Sequence, residues 1–182
     1  MSEIFSRILA FHSAPAICGI KASNLICCSL SKIFNLLEEI DEVNKNYNPT
    51  IYIKILQIKN DRVLILVYRR SILESCLRDH EKLSFLNSIG YPFTDNIDCL
   101  LDYLRYRLNT STSFPHEIGI FLGYELSDVL GFINNKECLY SGPWKIYSNI
   151  ESKIKLFDKY EKCRTRVLHY IDNGYNINVF MK

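Results

Sequence analysis

Apolar positions along the chain follow two periods, and the places where one gives way to the other mark the elements. Between residues 24 and 44, Ile26, Leu30, Ile33, Leu37 and Ile40 recur at helical spacing, with Leu25, Phe34 and Leu36 widening the stripe. That spacing predicts a helix with one face in the core. Glu38, Glu39, Asp41 and Glu42 lie near its C-terminal end, where the helix dipole disfavours negative charge, so they form either a solvated face or a surface for a basic partner. The period then changes. "TIYIKILQIKNDRVLILVYRR" holds two β-rich runs separated by Lys59-Asn60-Asp61, which predicts a hairpin. Its second run, Val63 to Tyr68, is apolar without alternation, as in a strand inside a sheet with helices packed around it.

Helical spacing returns after the hairpin. Ser71-Ile-Leu-Glu74 has capping-box form and opens a helix expected to stop at Gly90, with Pro92 just beyond. Thr94 or Asp95 then caps a helix carrying Ile97, Leu100, Leu101, Leu104 and Leu108 on one face. In "FPHEIGIFLGYELSDVLGF", residues 114–132, Pro115 opens a short helix that Gly123 ends, and "ELSDVLGF" restarts as a second. "ECLYSGPWKIYS" reads as an extended segment interrupted at Gly142-Pro143. Ser148 and Glu151 frame another capping box, for a helix with Ile150, Ile154, Phe157, Tyr160, Val167 and Ile171 inward, ending near Asn173-Gly174. Residues 175–182 are expected to form a short strand or a tail. No repeat or linker interrupts the series. The expectation is one α+β domain over residues 1–182, with a small, mostly antiparallel sheet covered by about five or six helices.

Composition changes this picture little but narrows the function classes. A chain of 182 residues can bury its core without disulfides or metal. With 22 Lys and Arg against 20 Asp and Glu, it lacks the concentrated basic face that a phosphate backbone requires, and nucleic acid is not an expected partner. Seven cysteines are an odd number, set mostly among apolar neighbours, as free thiols in a reducing cytoplasm would be. Glu3, Arg7 and His12 break up the N-terminal apolar stretch, which lacks secretory-signal form. No run approaches the roughly 20 apolar residues of a membrane span. A cytoplasmic protein without a membrane partner is therefore expected.

The residues able to carry chemistry are few. His116 and Glu117 follow Pro115 at a helix start, where an imidazole could serve as general acid or base with Glu117 or Asp128 orienting it. A bond from His116 to a backbone carbonyl would explain it equally well. The second histidine of a His-Glu-x-x-His motif is missing, and Cys27-Cys28 are adjacent rather than spaced, so no metal site is expected. Gly119 and Gly123 lack phosphate-loop spacing and read as close-packing positions. "FHSAPAICGIKASNL" sets His12, Lys21 and Asn24 among apolar residues, the pattern of a pocket-wall loop; Lys21 snorkelling at a helix start and Asn24 as an N-cap are the plainer readings. Trp144 is the only tryptophan and precedes Lys145, a pair suited either to anchoring the core or to stacking on a flat ligand whose acidic group meets the ammonium. Cys163 beside Arg164 reads as a buried thiol and a surface cation, with a reactive thiolate as the sharper alternative.

Six stretches together, "FHSAPAICGIKASNL", "RVLILVYR", "FLNSIGYP", "FPHEIGIFLGYELSDVLGF", "GPWKIYS" and "FDKYEKCR", resemble domain-of-unknown-function family 3793, small proteins found mainly in anaerobic Gram-positive bacteria. The resemblance runs from about residue 11 to 166. It implies a bacterial origin and supplies a motif, but no activity, cofactor or catalytic residue. The chain departs from the family pattern at Glu125 and Ala22, where proline is common, and at Pro143, where an aromatic often precedes the tryptophan.

The expected function is that of a small-molecule or cofactor-binding domain, its cofactor unspecified. His116, Glu117 and Asp128 are the candidate catalytic residues. His12, Lys21, Tyr124, Trp144 and Lys145 are the candidate contacts to an anionic ligand. A non-catalytic interaction module, with Phe121, Tyr124 and Trp144 turned outward, is the alternative. A redox- or iron-linked protein, resting on the cysteines, is the third reading.

Overall fold

The computed structural model describes residues 1–47 and 49–182. Its centre is the predicted hairpin, β2 (Ile51–Lys59) and β3 (Arg62–Arg69), turned at Asn60, whose φ of 53° is the left-handed conformation asparagine tolerates. A further strand, β1 (Ser23–Ser29), pairs antiparallel with β3, giving the order β1-β3-β2 with β3 in the middle. β3 is therefore covered on both faces, as its unbroken apolar run requires. Val63, Ile65 and Val67 face one core, and Leu64, Leu66 and Tyr68 face the other.

The first core is closed by α1 (Glu3–Ile17), α2 (Leu36–Tyr47) and α8 (Ile150–Asp172), with α1 packed along α8. The second is closed by α3 (Arg70–Leu77), α4 (His80–Ser88), α5 (Ile97–Thr110), α6 (Ile118–Phe121) and α7 (Leu126–Ile133). A two-residue hairpin, β4 (Tyr140–Ser141) and β5 (Lys145–Ile146), turns through Gly142-Pro143 beside α7. The fold is α+β and single-domain, with eight helices among the described residues rather than five or six.

Several local expectations are corrected. The helix predicted over 24–44 is a strand followed by a helix: Ile26 and Cys28 alternate into the core on β1, and α2 begins only after Asn35 at φ 54°. Glu38 and Glu39 consequently stand in the first turn of α2, where the dipole favours them, and need no basic partner to excuse them. The pocket-wall loop expected around His12 is the last part of α1, which continues through Pro15 because Phe5, Leu9, Ala10, Ala14 and Ile17 are fully buried. Asn24 lies on β1 and is not an N-cap. The helix expected to open at Ser71 breaks at Asp79, which caps α4 by accepting from the N–H groups of Glu81 and Lys82. Asn96, not Thr94 or Asp95, caps α5. The expected box at Ser148 is a left-handed Asn149 without a side-chain cap bond. Residues 177–180 form a 3-10 turn that buries Ile177 and Met181, neither strand nor tail.

Candidate functional site

Two short helices meeting at a glycine place the motif. Gly123, at φ 82°, ends α6, and an added Cβ there would stand 3.2 Å from the Ala22 methyl. Gly119 packs as tightly: its Cβ would lie 2.9 Å from Val129 Cγ2 and 3.1 Å from Tyr124 Cδ2. The fully buried Ser23 hydroxyl donates to the Phe121 carbonyl at 2.6 Å and ties β1 to α6.

Asp128 holds the region together. Its carboxylate accepts from the Trp144 indole N–H at 3.0 Å and the Tyr147 backbone N–H at 2.8 Å, and pairs with Lys153 at 2.7 Å. Its side chain is 1% exposed and that of Lys153 is 4% exposed. Lys153 also reaches Glu125 at 2.9 Å, and Glu125 accepts from Ser148. Each Asp128 oxygen is thus occupied, so the carboxylate positions Trp144 and the β4–β5 hairpin and does not bond to His116. Glu117 is likewise engaged elsewhere: it is buried, pairs with Arg107 of α5 at 2.6 Å and accepts from the Tyr91 hydroxyl at 3.3 Å. Burial, followed by the Glu117 charge, raises the Tyr91 phenol and keeps it a donor.

The Trp144 ring is a partition. It stacks on Tyr124, with centroids 4.4 Å apart and planes at 19°, and meets Phe157 edge-to-face at 4.4 Å. Tyr124 therefore takes the stacking place that a flat ligand would need. One cleft opens on each side of this pair.

The first cleft, about 280 Å3, has an apolar floor of Ile118, Leu122 and Val129 and is bounded by Tyr124, Asp128 and Trp144. His116 and Lys145 stand exposed at its rim. His116 packs edge-on against Phe132 at 4.8 Å, and the Lys145 ammonium lies 5.5 Å from the centre of the same ring. Neither base makes an ion pair among the described residues.

The second cleft, about 480 Å3, lies between α1, the start of β1, the β4–β5 hairpin and α8. It brings His12, Lys21 and Asn24 to Tyr160 and Arg164. The Lys21 ammonium sits 5.2 Å from the Tyr124 ring centre and 5.8 Å from that of Tyr160. Burial pulls the Lys21 ammonium down to about 8 and pushes the phenols of Tyr124 and Tyr160 up to about 12. Burial, aided by the Arg164 charge, lowers His12 below its usual range. The Asn24 side-chain oxygen is buried without a hydrogen-bond partner among the described residues.

His12 and His116 thus line different clefts, and Glu117 lines neither. Lys153, Tyr160 and Arg164 are site residues that sequence reasoning did not select. Their signal is present on α8, where Lys153, Phe157, Tyr160 and Arg164 follow a four-three-four spacing along one face. Burial and a hydrogen bond with Cys163 push the Cys18 thiol up to about 12, opposite to an activated thiolate. Among the described residues no group of three or more His, Cys, Asp or Glu side chains could hold a metal ion, and no helix is long and apolar enough to cross a membrane.

No curated protein and no solved structure matches the chain. Residues 9–181 match the family described as protein of unknown function (DUF3793), a span that includes both clefts and every residue of the Asp128 network, and the chain belongs to that family.

Proposed function

We propose that the protein is a small-molecule-binding domain whose ligand is anionic, with an apolar body seated in the His116–Lys145 cleft. The observation that carries this reading is the mismatch of charges at the rim. Two basic side chains border an apolar floor, while Asp128, the carboxylate beside them, is fully bonded to Trp144, Tyr147 and Lys153. Such a cleft accepts apolar surface from water and offers its rim to an acidic group. In the enzymatic form of this reading, His116 is the acid or base, Lys145 stabilises developing negative charge, and Asp128 acts only by holding Trp144. The interaction-module reading asks for outward rings, but Phe121 is fully buried and Tyr124 and Trp144 stack on one another.

A thermal-shift series with small aryl and alkyl carboxylates tests the proposal. The Tm of the wild-type protein should rise with at least one of them, and the rise should be lost in a His116→Ala, Lys145→Ala variant. An equal rise in both proteins would place binding elsewhere and refute it.

A further inference from the structure

The second cleft contains an ammonium, that of Lys21, with no counter-ion among the described residues. Lys21 is half-buried, its ammonium 5.2 Å from the Tyr124 ring centre and 5.8 Å from that of Tyr160. The two α8 carboxylates that line this cleft are already paired, Asp158 with Lys162 at 2.6 Å and Glu161 with Arg164 at 2.5 Å. Removal from water disfavours its charged form. His12 and Arg164 add further basic groups to the same lining, and the Asn24 oxygen waits there without a donor. Two ring faces hold this half-buried ammonium, but with no acidic partner among the described residues its charge is left to be met by something that enters the cleft.

We infer that Lys21 is a nucleophilic amine and that this cleft forms an imine with a small 2-oxo acid. This is a second site, separated from the His116 cleft by the Trp144–Tyr124 stack, and it does not depend on the function proposed for that cleft. The Lys21 nitrogen attacks the carbonyl carbon, the C–N bond forms as the carbonyl π pair moves to oxygen, and one amine proton passes to that oxygen to give the neutral carbinolamine. Its hydroxyl takes up a second proton from solvent, and the nitrogen lone pair then expels it as water, leaving a protonated imine. No oxidant or reductant is consumed. The step needs the neutral amine, and a lysine held near 8 is neutral in roughly one molecule in ten at pH 7, against roughly one in three thousand for an ordinary lysine. Arg164, whose partner Glu161 is exposed and can turn to solvent, supplies the positive charge that would receive the carboxylate of the 2-oxo acid, and His12, its charged form disfavoured by burial, can donate a hydrogen bond to it. The Asn24 oxygen is an acceptor for the N–H of the imine or the O–H of the carbinolamine.

Reductive trapping tests this directly. The folded protein is incubated with glyoxylate and cyanoborohydride at pH 7, and each lysine-containing peptide is followed by mass spectrometry. Lys21 should be modified at least about tenfold faster than the exposed lysines, and the preference should vanish in urea. His116→Ala should leave the preference intact, which separates this site from the other cleft, and Lys21→Arg should abolish the fast phase. Modification of Lys21 at or below the rate of the exposed lysines in the folded wild-type protein would overturn the inference, whether or not the Lys21→Arg variant folds.

Discussion

Replacing Asp128 by alanine should cost the protein about 3 kcal/mol of stability, at the lower end of the range for breaking a buried ion pair. The pair is well enclosed, at 1% and 4% side-chain exposure and 2.7 Å separation. Truncation leaves Lys153 buried and removes the acceptor of the Trp144 indole N–H. Two features moderate the loss. Glu125 stays 2.9 Å from Lys153 and is itself about half exposed, so it can follow the ammonium toward solvent. Water entering the adjacent cleft can take up the indole N–H. Asparagine should rescue little, because its amide cannot face the three donors that the two carboxylate oxygens now accept. The decisive comparison is with the double variant Asp128→Ala, Lys153→Met, in which no charge is stranded and the methionine fills the lysine channel. It should be more stable than Asp128→Ala alone by about 1–2 kcal/mol. Urea unfolding followed by far-ultraviolet circular dichroism gives both values by linear extrapolation. A loss below about 1 kcal/mol in the single variant, or a double variant no better than it, would refute the assignment of Asp128 as the anchor of this region.

Further outcomes follow from the same geometry. Gly131→Ala should be destabilising by about 1–3 kcal/mol and should move the β4–β5 hairpin, because its Cβ would overlap the Tyr147 ring at 2.3 Å from Cγ; thermal unfolding measures the loss. Ser23→Ala should cost about 1–2 kcal/mol in the same assay by leaving the Phe121 carbonyl without its buried donor. Lys21→Met should be more stable than wild type at pH 7. Lys21 is lowered by burial, so the folded state holds fewer protons than the unfolded chain between about 8 and the ordinary lysine value, and wild-type stability recovers as pH rises through that window. The advantage of the variant should therefore shrink from pH 8 to pH 10, and an advantage independent of pH would contradict the burial of a charged Lys21. His12, Asp158, Tyr160, Glu161 and Arg164 line this cleft and Tyr124 faces the ammonium, and the difference between the two proteins largely cancels their own titrations.

Much of this architecture is readable where one signal acts alone. β3 is apolar at every position from Val63 to Tyr68 and stands between two cores. The glycine break between α6 and α7 is equally legible, because Gly123 adopts a positive φ against Ala22. Readings fail where two signals overlap. Ile26 and Leu30 happen to continue the phase of α2, so a strand, a turn and a helix look like one long helix until Asn35 breaks it. In α1, Pro15 argues locally for a loop, but burial of the helix against the sheet and α8 outweighs one lost hydrogen bond. The site is legible in its parts and hidden in its assembly. The sequence motifs mark Trp144, Lys145, His116 and Lys21, yet nothing local says that the indole divides two clefts. Nor does it say that Glu117 turns to Arg107 and Tyr91. Lys153 escapes notice because a lysine on a long helix ordinarily faces water, and only the three-dimensional approach of Asp128 makes its burial tolerable.

The most direct test of the central claim uses Trp144 itself, the only tryptophan in the chain and a wall of both clefts. Its fluorescence should change saturably as phenylacetate is added and stay nearly constant with the neutral 2-phenylethanol. In the His116→Ala, Lys145→Ala variant the phenylacetate affinity should fall at least about tenfold, the loss expected when charge-assisted contacts to a carboxylate are removed. Equal responses to the acid and the alcohol, or an affinity unchanged by removing both bases, would contradict an anion-binding cleft at His116 and Lys145.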